Sequence, residues 1–445
     1  MENIKLNLPE EVREIISTLE KEGHKAYAVG GCVRDSVMSK TPHDWDITTS
    51  ALPEETKKVF SKYDQVLNGL KHGTVGVIID HTNFEVTSFR TEGSYSDNRH
   101  PDSVTFVNNV EDDLSRRDFT VNAIAYSPLE GIVDPFSGVK DIENKVIRCV
   151  GDAGKRFDED ALRILRAIRF ASVLGFSIDE KTAEMIHEKK HLLKNISVER
   201  VRVEIEKTLM GENVFELLTE FEDVFFTVIP ELEKTKNVPQ NCPYHVYDVW
   251  EHIRRSVEYS KNDITVRLTM LLHDVAKPLV KTTDANGVDH FKTHAVVGER
   301  IAEDILKRLK FDNKTVETVT QLVLHHDDRL YLNTDNISRY IGRYGYGFLR
   351  LLDEVSRADI KAQNEEYLDR LLLCDDFIEK LDRCEKENLC VTLKQLAVNG
   401  NDLKALGFEG REIGQLLETM LDKVIAGELE NNRKVLIDHV MKTPG

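Results

Sequence analysis

The chain is short of tryptophan (two), cysteine (six) and proline (eleven) across 445 residues, and each scarcity narrows what it can be. The cysteines (Cys32, Cys149, Cys242, Cys374, Cys384 and Cys390) stand apart with no CxxC pair. Reduced structural thiols are therefore expected, not a disulfide framework or a zinc knuckle. No apolar run approaches the roughly 20 residues of a membrane span, so no membrane partner is expected. The first segment, MENIKLNLPEEVREII, lacks an apolar signal core and reads as the start of an amphipathic helix, which predicts a cytoplasmic protein. There is no fixed-period repeat and no low-complexity stretch. Positive charge is also in deficit, 60 Lys and Arg against 78 Asp and Glu, for a net charge of −18. That balance excludes an indiscriminate nucleic-acid binder, because phosphate neutralisation needs cations. It does not exclude a shaped RNA met by local clusters, and such clusters occur at Arg116–Arg117 and between Lys155 and Arg169.

What is present suits a soluble globular chain: 40% hydrophobic and 31% charged residues, long enough for two to four domains. Residues 1–150 alternate strand-like runs with helical patterns. TVGVIID at 74–80, NFEVTSF at 83–89 and SVTFVN at 103–108 have the β-branched and apolar content of strands. From Glu159 onward nearly every segment has helical periodicity, and prolines sit at element boundaries, as at Pro230, Pro239, Pro243 and Pro278. The predicted class is α+β, a head with a small mixed sheet followed by a predominantly α-helical remainder. The boundaries read as 1–150 for the head, 151–210 for a helical neck, 211–380 for a helical body and 381–445 for a helical tail.

The densest chemistry lies in YAVGGCVRDSVMSKTPHDWDITTS at 27–50. An apolar strand runs into Gly30 and Gly31, where backbone can approach a ligand. A helix is expected next, its amides favouring a triphosphate, with Arg34 as a cationic fork. Asp44 and Asp46 follow with DxD spacing. On a strand, i and i+2 share a face, and two adjacent carboxylates repel unless a cation sits between them. Glu85, in FEVTSFR, could add a third carboxylate from a neighbouring strand. This set suits two Mg²⁺ ions in nucleotidyl transfer.

The combination of GGxVRD, DxD and a third acidic strand resembles the nucleotidyltransferase superfamily of poly(A) polymerases and tRNA CCA-adding enzymes. RRDFTVNA at 116–123, EDALRILRAIRF at 159–170 and SVERVRVEIEK at 197–207 resemble, in order, further signatures of the class II CCA-adding family. The resemblance implies template-independent addition of CCA to tRNA 3′ ends from CTP and ATP. Asp44, Asp46 and Glu85 would be catalytic. Gly30, Gly31, Arg34, Arg117, Asp160, Arg163, Arg166 and Arg169 would bind nucleotide, and the tail would bind tRNA. No obligate protein partner is implied. Asp118 is expected to orient Arg117 or its loop.

A physical reading of Asp160 and Arg163 stands beside the resemblance. Placed i, i+3 on a helix, they offer an acceptor next to a donor. Cytosine and adenine each present an amino group beside an unprotonated ring nitrogen, and guanine and uracil present the reverse. One protein pair could therefore choose C and A and penalise the others. Arg166 lies close to Arg163 on this reading, and Arg169 is turned toward another element.

Histidines make a second constellation. His252 in VWEHI, His273-Asp274 in LLHDVAKP and Asp359 in RADIKAQ resemble an HD metal-hydrolase domain, with His294 and His325-His326 between them and Lys277 after the HD pair. Imidazole and carboxylate together suit a divalent metal, here additional to the Mg²⁺ of the head. Three alternatives to CCA addition remain open at this level. They are an A-adding or CC-adding enzyme, a poly(A) polymerase, and an HD-type phosphohydrolase acting on RNA ends. The stretch RTEGSYSDNRHPDSVTF, with Glu92, Tyr95, Asp97, Arg99 and His100, is complete and disfavours CC-only addition. The chain ends without a basic extension, which disfavours the polymerase.

Overall fold

Val12, Ile15, Ile16 and Leu19 have the i, i+3, i+4, i+7 spacing of an apolar stripe. The helix they form, α1 (Glu10–Lys21), buries all four and packs against β1 (Ala26–Val29). In the computed structural model that follows from this chain, residues 5–93, 103–387 and 389–442 are described. Tyr95, Asp97, Arg99 and His100 lie outside them. The chain forms two compact units, residues 1–233 with 308–310, and residues 234–307 with 311–445. Among the described residues no helix is long and apolar enough to cross a membrane.

In the first unit β1 leads through α2 (Gly31–Val37) to β2 (Asp46–Thr49), α3 (Pro53–Val59), β3 (Asp64–Val66), β4 (Thr74–Ile79) and β5 (Thr82–Ser88). A ribbon of β6 (Arg90–Glu92) and β7 (Val104–Phe106) follows, then α4 (Val110–Ser115), β8 (Ala125–Ser127) and β9 (Gly131–Val133). The main sheet has seven strands in the order β3-β4-β5-β2-β1-β8-β9. Every pairing in it is antiparallel except β2 with β5. All four residues of β1, a strand at the sheet's centre, are buried, as expected where both faces are covered. The run at 103–108, read as a strand, contributes to the β6–β7 ribbon and not to this sheet.

The rest of the unit is helical apart from one short parallel pair, β10 (Val146–Ile147) with β11 (Ser177–Ile178). Its helices are α5 (Gly138–Glu143), α6 (Ala153–Glu159), α7 (Leu162–Leu174), α8 (Glu180–Lys189), α9 (Val198–Leu209), α10 (Val214–Glu220) and α11 (Glu222–Val228). Helix α7 buries Leu162, Ile164, Leu165, Ala167, Ile168 and Ala171, packs on α9, and ends at Gly175 in the left-handed region.

The second unit holds α12 (Val249–Tyr259), α13 (Ile264–Leu272), α14 (Lys277–Val280), the hairpin β12 (Thr282–Thr283) with β13 (Asp289–His290), α15 (His294–Arg308), α16 (Asn313–His325), α17 (Ile337–Lys361) and α18 (Arg370–Lys386). Asp248, Asp263 and Asp312 cap α12, α13 and α16, each carboxylate accepting from a first-turn backbone N–H. The apolar helix α13 lies among α12, α16 and α17. The last helices, α19 (Gly400–Ala405), α20 (Arg411–Ile425) and α21 (Arg433–Lys442), share a separate apolar cluster that includes Leu403, Ile413, Met420, Leu436 and Val440. The α+β class predicted from the sequence, with a mixed-sheet head ahead of a helical body, is the architecture found.

Candidate active site

Strand pairing positions the acidic residues of the head. Asp46 opens β2 and is the register partner of Val29 on one side and Glu85 on the other. Beyond Val29 the neighbouring chain turns at Gly30 into α2, so residues before Asp46 have no ladder to join. Asp44 therefore precedes the strand instead of lying on it, a correction to the strand-borne DxD reading. Pro42, which brings no N–H, stands just before it. Asp44, Asp46 and Glu85 are all exposed. The Asp46 carboxyl is nevertheless raised above its usual value, first by the protein displacing solvent around it and then by the charges of Glu85 and Asp44, with Arg117 opposing.

Arg117 is held close by a missing side chain. Gly30 has φ +84°, and a Cβ built there would stand 2.9 Å from Arg117 Nη1. The opposite side of the guanidinium faces the buried Asp113, whose Oδ2 is 3.7 Å from Nη2. Arg117 Nε finds no acceptor among the described residues. Asp113 also accepts from Arg116 Nε at 3.0 Å and Thr48 Oγ1 at 3.2 Å. Arg116 in turn reaches Glu92 Oε1 at 3.1 Å. Asp113 went unnoticed in the sequence, although an acid one turn ahead of a double arginine was the available signal.

A second network joins Arg34 to α7. Arg34 Nη1 donates to Asn122 Oδ1 at 2.7 Å, and Asn122 Nδ2 donates to Asp118 Oδ1 at 3.2 Å. Arg166 places Nε and Nη2 on Asp118 Oδ2 at 2.9 and 2.6 Å. Of the two roles expected of Asp118, its hydrogen bonds serve the loop, through Phe119 N at 2.8 Å and Asn122, and its cationic hydrogen-bond partner is Arg166 in place of Arg117. Burial alone would raise the Asp118 carboxyl. The charge and hydrogen bonds of Arg166, with Arg163 and Asn122, instead bring it down to about 2. The guanidiniums of Arg34, Arg166 and Arg169 lie 5.4, 5.3 and 4.0 Å from the centre of the Phe170 ring. Arg169 Nε also pairs with Glu204 of α9 at 2.9 Å. The sequence reading assigned Phe170 no role.

Asp160 and Arg163 do not form the i, i+3 helical pair expected of them. Asp160 is extended, with φ −136° and ψ 102°, in the break between α6 and α7. Its Oδ1 accepts from Leu162 N at 3.1 Å, so the short polar side chain competes for backbone and ends helix continuity. Its Oδ2 pairs with Arg200 Nη2 at 2.9 Å. Arg163 is buried and donates to Glu159 Oε2 at 2.6 Å and to the Arg156 and Arg116 carbonyls at 3.2 and 3.0 Å.

The second unit gathers the histidines. His252 Nε2, on α12, lies 3.0 Å from Asp359 Oδ1 of α17, 3.2 Å from His273 Nε2 and 3.5 Å from Asp274 Oδ2. Lys277 Nζ pairs with Asp274 Oδ2 at 2.6 Å and donates to Gln240 Oε1 at 2.8 Å. Asp274 is buried, and its oxygens meet only the Lys277 ammonium and imidazole nitrogens of the surrounding histidines among the described residues. Burial, which opposes charge, is outweighed at Asp274 by His273 and Lys277, so its carboxyl stays well below the usual range. The reverse holds for His273, raised by Asp274 despite burial. Of the His325-His326 pair only His326 turns inward, since His325 Nδ1 pairs with Asp328 at 2.7 Å. His245, missed in the sequence, stacks edge-on against His252 with centroids 4.7 Å apart. A cavity of about 680 Å³ opens onto these groups, with Lys277, Lys292 and Arg329 in its wall. Among the described residues, the triads of metal-binding side chains whose ligand atoms lie within 4.8 Å of one another are His252–His273–Asp274 and Asp274–His294–His326.

Known proteins align along the whole of this chain. A CCA-adding enzyme of Ligilactobacillus salivarius is 33% identical over 98% of this chain and 98% of its own length. One from Enterococcus faecalis is 34% identical over 98% and 97%. The chain belongs to the CCA-adding enzyme family. Residues 26–148 match the family described as poly A polymerase head domain, residues 175–235 a probable RNA and SrmB-binding site of polymerase A, and residues 290–440 a putative tRNA nucleotidyltransferase domain 2. The crystal structure of the Bacillus stearothermophilus CCA-adding enzyme in complex with CTP is 30% identical, with a TM-score of 0.74 over 97% of this chain and 96% of that one. Within this CCA-adding family the head is the unit that carries Asp46, Glu85 and Arg117.

Proposed function

We infer that this chain completes the 3′ ends of tRNA, joining CMP and AMP units from CTP and ATP without a nucleic-acid template and releasing pyrophosphate. The observation that carries the reading is the β2–β5 pairing, which sets Asp46 beside Glu85 with the Arg117 guanidinium near them, in a chain similar throughout to CCA-adding enzymes. Asp44, Asp46 and Glu85 fit a divalent cation, since they offer hard oxygen donors, and burial and the charges of Glu85 and Asp44 raise the Asp46 carboxyl. Mg²⁺ is the ion proposed. When bound it supplies charge neutralisation for the triphosphate and lowers the cost of ionising the primer hydroxyl. The protein's own part is positional. Arg117, held over Gly30, and Arg34, held by Asn122, present donors to phosphate oxygens in an otherwise acidic chain.

Base choice is assigned to Asp160 and Arg163. To read a base, Asp160 must release Arg200 and Arg163 must release Glu159, so selection involves a trade of partners and not a preformed pair. Asp160 would then accept from the amino group of C or A while Arg163 donates to the ring nitrogen. Guanine and uracil would leave both mispaired in a dry site. Transcripts of tRNA lacking one, two or all three terminal nucleotides, supplied with CTP, ATP or both, test the assignment when the products are sequenced. Addition of A alone or of CC alone would sink it.

A second reading concerns the other unit, as an HD-type site holding one divalent ion through His252, His273, Asp274 and Asp359 and hydrolysing phosphoesters at RNA ends. The gathering of His252 and His273 on the buried Asp274 carboxylate, with Asp359 beside them, favours it, because buried ligand-bearing groups brought this close are costly without a cation. Metal analysis of the purified chain, with hydrolysis of 2′,3′-cyclic nucleotides, tests it. No bound transition metal and no hydrolysis would end this reading.

A further inference from the structure

Tyr244 lines the cavity of the second unit and keeps 38% of its surface exposed. Its ring centre is 4.8 Å from that of Tyr367, with the two planes tilted by 50°. The guanidiniums of Arg329 and Arg370 each lie 5.6 Å from the Tyr244 ring centre, and Arg370 is 5.4 Å from Tyr367 as well. A lone exposed tyrosine carries no meaning. Two rings and two guanidiniums gathered at one cavity wall make a set of flat surfaces, polarised by charge, that suit another flat π system.

The group is fixed before any ligand arrives. Asn364, just beyond α17, donates its backbone N–H to the Tyr244 carbonyl at 2.9 Å and Nδ2 to the Pro243 carbonyl at 3.2 Å. Arg370 donates from Nε to the Tyr367 carbonyl at 3.1 Å and from Nη2 to Gln363 Oε1. Gln363 is buried and donates in turn to Asp359 Oδ2 at 2.6 Å. Arg329 holds a left-handed backbone, φ 48° and ψ 44°, which costs a residue with a Cβ, and its Nε donates to Asp327 at 3.0 Å. The residue after Tyr244, His245, meets His252 edge-on, so the rings stand beside the histidine cluster. Surfaces held this way lose little freedom when a ligand covers them.

We propose that Tyr244 is a nucleobase-stacking residue, flanked by Arg329 and Arg370, so that the cavity takes a nucleotide with its base on this ring and its phosphate toward the histidines. Every base has a π face, and a ring responds to its area and not to its hydrogen-bond pattern. All four bases should therefore be accepted, purines ahead of pyrimidines. That is the reverse of the head, where Asp160 and Arg163 are assigned to reject guanine and uracil. The inference rests on the phosphoester reading above for the fate of the phosphate, and adds the residue that grips the base. The same chemistry fits a free mononucleotide and the terminal nucleotide of an RNA chain.

The test photolabels the full chain with azidoadenosine 2′-monophosphate and sequences the labelled peptides, which separates this site from the head by position. Label is expected in the peptide that contains Tyr244. Nucleoside 2′-monophosphates of all four bases should compete for it, and ribose phosphate and inorganic phosphate should do so about tenfold less well. Stronger competition by a short single-stranded RNA with a 3′-phosphate than by a mononucleotide names the RNA end as the source, and the opposite order names the free nucleotide. Tyr244→Ala should lower kcat/KM for adenosine 2′,3′-cyclic phosphate about tenfold relative to p-nitrophenyl phosphate, and Tyr244→Phe, which keeps the ring, should restore the ratio. Circular dichroism checks the fold of each variant. Hydrolysis of cyclic nucleotides with no label at Tyr244 would overturn the stacking site and spare the phosphoester reading. Label at Tyr244 with no hydrolysis would uphold the stacking site and end that reading. Competition by ribose phosphate as strong as by the nucleotides, or an unmoved ratio in Tyr244→Ala, would overturn the role of the ring.

Discussion

Asp46 and Glu85 stand side by side across the parallel junction of β2 and β5, the one parallel contact in the seven-stranded sheet. Two strands remote in sequence thereby deliver two carboxylates to one place with no loop involved. A site placed on strands is held more tightly than one on loops, and small changes there should register in rate before they register in stability.

Asp46→Asn and Glu85→Gln should each lower CCA addition at every step, with the melting temperature little changed. Loss of a metal-holding carboxylate is worth on the order of 4 kcal/mol, or about a thousandfold in rate. Single-turnover addition to defined tRNA ends checks this. More than a tenth of normal turnover in Asp46→Asn would remove that residue from the reaction.

Gly30→Ala places a methyl group 2.9 Å from Arg117 Nη1 on a backbone with φ +84°. Holding such a conformation costs a non-glycine residue about 1–3 kcal/mol. Arg117 must also shift from its place against Gly30. Expected are weaker CTP and ATP binding by tenfold or so and a lower melting temperature. Normal KM values would show that Arg117 does not serve the triphosphate.

The depressed Asp118 carboxyl makes a pH prediction. Its value falls from 3.8 to about 2 in the folded chain, so the charged form is favoured by folding. The contribution is complete above the unfolded value and is lost as pH falls through the folded one, between about pH 4 and pH 2. Its size is on the order of 2 kcal/mol. Asp118→Asn should lower stability at neutral pH and flatten the acid limb in that window. Denaturant midpoints measured from pH 2 to pH 7 decide it, and an unchanged acid limb would contradict the Arg166 pairing.

Asp160→Ala should relax discrimination against UTP and GTP more than it weakens CTP binding. Arg163→Ala should do this and also cost stability, because Arg163 bonds the carbonyls of Arg156 and Arg116. Competition between CTP and UTP, read alongside thermal melts, separates the two. Identical CTP-to-UTP preference in both variants and the unaltered chain would confine these residues to structure.

The strands at 74–79 and 82–88 were legible within a residue or two because β-branched content and bounding turns agreed. Glu85 was legible as an acid on a strand-like run, and its pairing with Asp46 comes from the β2–β5 register. Asp160 was misread for a physical reason. Helical periodicity runs across EDALRILRAIRF, yet an aspartate that can cap its own successor interrupts a helix without proline or glycine to mark the break. Asp113 had a local signal in Arg116 and Arg117 that was not used, whereas the role of Asn122 depends on a partner far away in sequence. Asn122 meets Arg34 across 88 positions, which no local pattern reports. The inward-facing nitrogens of His294 and His326 were equally hidden, since their orientation is set by hydrogen bonds to the Phe291 and Val323 carbonyls.

Three guanidiniums around Phe170 have a consequence for product release. Arg34, Arg166 and Arg169 share one ring, and a ring has only two electron-rich faces to offer them. Each is paired with a carboxylate, Arg34 with Asp35, Arg166 with Asp118 and Arg169 with Glu204, so an arriving polyanion competes with these acids for the same donors. Affinity in such a pocket resides in the phosphate chain more than in the base, so CTP and ATP should bind with similar strength and CMP poorly. Pyrophosphate, which keeps most of that anionic charge after transfer, should leave slowly and compete with both nucleotides. Turnover would then be paced by the departure of the product that carries no sequence information at all.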